Sequence, residues 1–220
     1  MSVSPSNSDR RQYAPATDRN RDPILSVLQD VLPPDGTVLE ISSGTGQHAI
    51  FFAPRLAPRR WLPSDISPLA LDSIAAWQTD YPCETLYPPI QLDVCQAVWP
   101  VEPSCPPALA DFDTTSIQAI VSINMVHISP WDATLGLLAG ARRLLPIGGV
   151  LYLYGPYKRN GQHTAPSNAA FDVSLRSQNP QWGIRNLEDV IEVAIAHQLT
   201  LMNVIEMPAN NLSVVFQRRG

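Results

Sequence analysis

The sequence predicts an α/β fold: a mostly parallel sheet, helices on both faces, and an antiparallel strand at the C-terminus. Three observations predict it. Apolar runs of strand length alternate five times with stretches of helical period, the pattern of parallel strands joined by crossover helices. The strand-like runs are nearly continuous in apolar character, as strands covered on both faces are. Two strand-like segments follow each other directly at the end of the chain, which requires an antiparallel addition to the sheet.

Taken in order, residues 1–18 are rich in Ser, Pro, Asp and Arg, without apolar period, and predict a flexible arm. Residues 19–220 then form one domain. Pro23 suits the first turn of a helix whose stripe of Ile24, Leu28 and Val31 stops at Pro33-Pro34. Thr37–Ile41 reads as a buried strand, Ser42–Gly46 as a glycine loop, and Gln47–Ala57 as a helix. A second strand runs from Trp61 to Asp65, and Ser67 caps a helix that starts at Pro68. Pro88–Asp93 predicts a third strand ending on a carboxylate, and 95–116 a proline-stiffened loop. Ile117–Val126 is a strand, Trp131–Leu145 a helix and Val150–Tyr154 a further strand. Residues 155–185 have weak periodicity and predict a lid segment. Asn186 and Asp189 resemble a capping box for a helix reaching His197, followed by closing strands Leu199–Met207 and Leu212–Gln217.

Composition removes several functions. Fifteen basic against twenty acidic residues give a net charge of −5, with no basic run longer than a pair, so no nucleic-acid partner is expected. No apolar run reaches the ~20 residues that span a bilayer, and the N-terminus lacks a signal-type apolar core, so no membrane partner is expected. Cys83, Cys95 and Cys105 lack paired spacing and the four histidines are scattered; no metal site and a cytoplasmic location follow as expectations.

The chemistry concentrates at the ends of the first three strands, where α/β sheets bind ligands. Gly44 and Gly46 let backbone approach a ligand at a helix N-terminus. Glu40 lies late in the first strand; Asp65, nineteen residues after Gly46, ends the second, where it can accept from ribose hydroxyls; Asp93 ends the third, where it can accept from an adenine amino group. A pyrophosphate would want positive charge nearby, but this loop carries Glu40 and no basic residue. S-adenosylmethionine, cationic and without phosphate, fits better. Tyr154 and Lys158 have the spacing of a dehydrogenase pair, but that pair works on a helix and Gly155-Pro156 forbids one, so an NAD(P)-dependent oxidoreductase is disfavoured.

Glu40-Ile-Ser-Ser-Gly-Thr-Gly46, Asp65-Ile-Ser-Pro68 and Leu92-Asp93 resemble the motifs of class I methyltransferases, with a Rossmann-like seven-stranded sheet. More narrowly, residues 19–24, 40–48, 168–176 and 179–185 resemble the methyltransferase-like protein twenty-six family, which carries no settled substrate. The resemblance implies S-adenosylmethionine as cofactor, with Ser42, His48 and Asn124 joining Glu40, Gly44, Gly46, Asp65 and Asp93 around it. It also implies that Asn20 and Arg21 close over its methionine carboxylate; the alternative is Asn20 as a helix cap and Arg21 in solvent.

The acceptor is expected to be a small molecule, reached from the ends of the fourth and fifth strands. Candidate catalytic residues there are His127 as general base, Tyr157 and Asn124. His127 packed before the Ser129-Pro130 turn, and Tyr157 as an aromatic lid, are equally open. Asn168, Asp172, Arg176 and Arg185 are candidate acceptor-binding residues, the arginines pairing with an anionic group or with Asp172 and Asp189. A catalytically silent module that binds the cofactor and acts through a partner is the alternative function. Oligomeric state is left open.

Overall fold

The structure is a computed structural model and describes residues 10–102, 109 and 112–220. Strands β1 (Thr37–Ile41), β2 (Arg60–Asp65), β3 (Ile90–Gln91), β4 (Ile117–Ile123) and β5 (Val150–Gly155) run parallel. A short hairpin, β6 (Lys158–Arg159) and β7 (Gln162–His163), stands apart from the sheet. Strands β8 (Leu199–Met207) and β9 (Asn211–Arg218) close the chain, β9 lying antiparallel to β5. The seven-stranded order is β3-β2-β1-β4-β5-β9-β8, as expected for a Rossmann-like methyltransferase fold. The chain leaves β1 toward β2 and returns to β4 on its other side, so strand order reverses there and opens a crevice at their carboxyl ends.

Helices α1 (Pro15–Val31), α2 (Gln47–Arg55), α3 (Pro68–Asp80), α4 (Trp131–Leu144), α5 (Pro166–Gln178) and α6 (Leu187–Ala196) complete the chain. Alternate strand residues feed opposite cores, which is why the strands read as continuous apolar runs. Leu39, Ile120 and Leu151 pack with Leu137 of α4 and Val190 of α6. Val38, Val121 and Tyr152 pack with Ile24 and Leu28 of α1 and Phe52 of α2. Glu40 shares the parity of Val38 and enters this second core beside Trp61.

Several elements differ from expectation. The arm reaches at most residue 14: residues 1–9 lie outside the described residues, Gln12 N–H donates to Ser73 Oγ, and α1 begins at Pro15. Pro23 sits inside that helix, which continues through it because Thr17, Asn20, Ile24 and Leu28 form one buried stripe. Asn20 is therefore not its cap. The third strand shrinks to two residues. Part of the 95–116 loop, including Cys105, lies outside the described residues. The supposed lid contains α5, whose buried positions are Asn168, Asp172 and Leu175, a helical spacing occupied mostly by polar side chains. Ser67 makes no capping bond, and Asn186 donates to the Asp189 carboxylate instead of sharing a capping box with backbone N–H groups.

Candidate functional site

The loop after β1 is shaped by alternating left-handed residues: Ser42 at φ 57°, Gly44 at 55° and Gly46 at 85°. Gly46 is obligatory on two counts. Its φ disfavours any side chain, and a Cβ would lie 2.9 Å from Ile74 Cα of α3. Asp65, ending β2, fastens the loop, its carboxylate accepting from Gly44 N–H and Ser67 N–H, each at 2.9 Å. Ser43 and Ser64 exchange two further bonds, Ser43 N–H to Ser64 O and Ser64 N–H to Ser43 Oγ. At Gly44 the space beyond the missing Cβ is open for 4 Å.

That open space belongs to a cavity of about 460 Å³ in the crevice between β1 and β4. Glu40, Ser42, Gly44, Asp65 and Asn124 line it from the strand ends, His48 from α2, and Thr17 and Asn20 from α1 above. Burial pushes Glu40 up to about 7, with the Asp65 charge adding to the rise and the Trp61 indole N–H, 2.9 Å away, opposing it. His48 is buried and lies near the Arg21 charge, which together hold it down at about 4. It is therefore neutral, and its Nε2 donates to Asn20 Oδ1 at 2.9 Å. No lysine or arginine lines this cavity among the described residues. Two carboxylates, a glycine cradle and the absence of a cation suit a cationic nucleoside such as S-adenosylmethionine and disfavour a pyrophosphate.

A second cavity of about 440 Å³ adjoins the first, and Ala16, Asn20 and Asn124 line both. Its own walls include Tyr154 from β5, Asn168 and Phe171 from α5, and Asn211 from β9. Asn124 reaches the junction from a left-handed backbone, φ 63°. Burial raises the Tyr154 phenol, while the amides of Asn20 and Asn211, within hydrogen-bonding reach, oppose the rise. Asn168 donates to Thr164 Oγ1 and Asn210 O, both at 3.0 Å, which fixes α5 against the β8–β9 turn. The contributions of Thr17, Ala16, Phe171 and Asn211 went unread in the sequence. The spacing 17, 20, 24, 28 was the available signal for α1, and the polar 168, 172, 175 stripe for α5.

Other candidates stand elsewhere. His127 is fully buried, lines none of the described cavities, and packs edge-on against Tyr157, itself fully buried. Burial and the Arg185 charge hold His127 down at about 3, so a general-base role for it, and an acceptor contact for Tyr157, do not fit the geometry. Gly155 explains the seating: a Cβ there would lie 2.5 Å from His127 Nε2. Asp93 lies outside the cavity lining and caps its own turn, accepting from Cys95 N–H and the Gln96 amide. Arg21 turns outward, paired with Asp18 at 2.8 Å and stacked over Phe51. It borders a separate cavity of about 720 Å³ lined from α1, α2 and α3, which shares no lining residue with the two joined cavities.

Asp172 is a structural hub. Lys158, His163 and Arg176 approach one carboxylate oxygen at 3.2–3.4 Å, and Ile184 N–H donates to the other at 2.6 Å. Burial would raise its pKa, but these partners outweigh burial and hold it below the usual carboxylate range. Arg185 donates to the carbonyls of Val126, Ser129 and Gln181. Arg176 and Arg185 line a separate 260 Å³ recess, sharing no lining residue with the two joined cavities. Their use as acceptor ligands therefore gives way to clamping α5 and the 179–185 segment.

The fold is that of class I methyltransferases. An O-methyltransferase family protein from Burkholderia thailandensis superposes with a TM-score of 0.74 at 14% identity, over 93% of this chain and 58% of that one. Human N-acetylserotonin methyltransferase, solved in complex with SAM, gives 0.71 at 11%, over 93% and 53%. An O-methyltransferase family 2 protein from Planctomyces limnophilus, solved with apigenin, gives 0.69 at 19%, over 92% and 60%. The chain thus spans a little over half the length of these structures. The family model described as a protein of unknown function (DUF938) matches residues 11–218, and the chain belongs to that family.

Proposed function

We propose that this chain is an S-adenosylmethionine-dependent methyltransferase with a small-molecule acceptor. One observation carries the reading: two cavities of ligand size share a wall at Asn20 and Asn124, the first holding two carboxylates and no cation. The cofactor, when bound, supplies a methyl group on a positively charged sulfur. Asp65 would accept from the ribose hydroxyls on lone pairs that its backbone donors leave available, and Glu40 would meet the amino-acid part. Asn20 and Asn124 would hold the two ligands in line and keep water from the junction.

The relation to the methyltransferase-like protein twenty-six family belongs to this reading, as does a domain running from about residue 10 to the C-terminus, with 155–185 covering the acceptor side. Cysteines without paired spacing support a reducing, cytoplasmic setting. One observation favours the silent-module alternative: among the described residues, no carboxylate and no histidine line the second cavity. Incubation with a cell extract and isotopically labelled S-adenosylmethionine, followed by untargeted metabolite profiling, separates the two. Label in a small molecule supports transfer. Tight cofactor binding without labelled product supports the silent module, and absence of cofactor binding overturns both.

A further inference from the structure

The two joined cavities are segregated by charge. Glu40 and Asp65 face the first, whereas the second has no acidic residue among the described ones, and its single formal charge is Arg19. Arg19, exposed on α1 one position before the shared Asn20, lines the second cavity. The remaining polar lining consists largely of amides, from Asn20, Asn124, Asn168 and Asn211, with Phe171 offering an apolar face. A cationic amine entering here would meet Arg19 without a compensating carboxylate. An anion would meet a guanidinium and the Asn124 amide, since the N–H groups of Asn168 and Asn211 already donate to Thr164, Asn210, Pro208 and Ala209.

Among the described residues, no carboxylate or histidine lines the second cavity to take a proton. Its ionisable lining residues are Arg19, whose guanidinium offers only donors, and Tyr154, whose phenol burial pushes up. His48 sits on the cofactor side, donating to Asn20, and His127 is sealed in the core.

We propose that the second cavity takes a small organic anion, a carboxylate or a thiolate on a compact apolar body, anchored by Arg19 and ionised before it arrives. This rests on the methyl-transfer reading for the identity of the neighbouring ligand. In the transfer, the anionic oxygen or sulfur forms the new bond to the methyl carbon, the carbon–sulfur bond breaks with its electron pair returning to sulfur, and no proton moves. Two opposite charges cancel, so the acceptor cavity needs no base. Neutral alcohols and phenols, which must lose a proton, are selected against by the same lining.

The test is a calorimetric titration of the protein saturated with S-adenosylhomocysteine. The probes are benzoate and benzenethiolate, against benzyl alcohol and benzylamine, with native protein and Arg19→Gln. Both anions, or one of them, should bind at least ten-fold more tightly than the alcohol and the amine. Which anion leads distinguishes carboxylate from thiolate acceptors. Arg19→Gln should erase the preference. Equal binding of alcohol or amine, an unchanged preference in the variant, or no anion binding at all overturns the proposal. Cofactor-product binding is read first in the same cell. Its failure alongside an Arg19-dependent anion preference would remove the methyl-transfer reading and leave the anion site standing.

Discussion

Three buried ionisable side chains set how the site and its surroundings respond to pH, with opposite signs. Glu40, raised from 4.5 to about 7 by burial, binds its proton more tightly in the folded chain than in the unfolded one. Its contribution to stability is full below about pH 4.5 and is lost as pH rises through about 7. Glu40→Gln removes that dependence, so its urea midpoint relative to the native protein should climb between pH 5 and 8; a constant difference contradicts the assignment. His48 and His127, lowered to about 4 and about 3, act the other way. Their contribution is full above pH 6.5 and is lost as pH falls toward those values. In a proton NMR titration neither ring should move between pH 8 and 6, and an inflection near 6.5 would return His127 to the list of possible bases.

At the scale of elements, two helices explain where sequence reading stopped. The buried stripe of α1 begins with Thr17 and Asn20, and that of α5 consists of Asn168, Asp172 and Leu175. Hydrophobic periodicity passes over such stripes because the positions facing inward are polar, and they are polar because they face cavities or an ion-pair hub. The strands were legible for the opposite reason. Val38, Leu39 and Ile41 of β1, and Val150 to Leu153 of β5, are covered on both faces and read as apolar runs. The glycine loop, Glu40 and Asp65 were legible as chemistry, since close backbone approach and strand-end carboxylates need those residue types. His127 misled because its type suggested a base, while its burial, decided by Gly155 and Tyr157 from other elements, could not be read locally. Asp172→Ala should cost about 2–3 kcal/mol in chemical denaturation, since it strands the Ile184 N–H and loosens Lys158 and Arg176, both partly solvated. Gly46→Val should cost about 2–4 kcal/mol, from a disfavoured φ and collision with Ile74, and should weaken cofactor binding with it.

At the scale of the whole molecule, the sheet order puts the crevice between β1 and β4, and helix α1, through Asn20, joins the two cavities that open there. Prolines serve this architecture at defined points: Pro15, Pro68 and Pro166 start helices, where a missing N–H costs nothing. Among the described residues no helix is long and apolar enough to cross a membrane, and no group of three potential metal ligands gathers. What remains as chemistry is the paired cavity, and its first half carries the central claim. Isothermal titration of the native protein with S-adenosylhomocysteine, beside NADPH and the Asp65→Ala variant, tests it most directly. The account predicts one site for S-adenosylhomocysteine, weakened at least ten-fold by Asp65→Ala, and no binding of NADPH; tight NADPH binding with none of S-adenosylhomocysteine would contradict it.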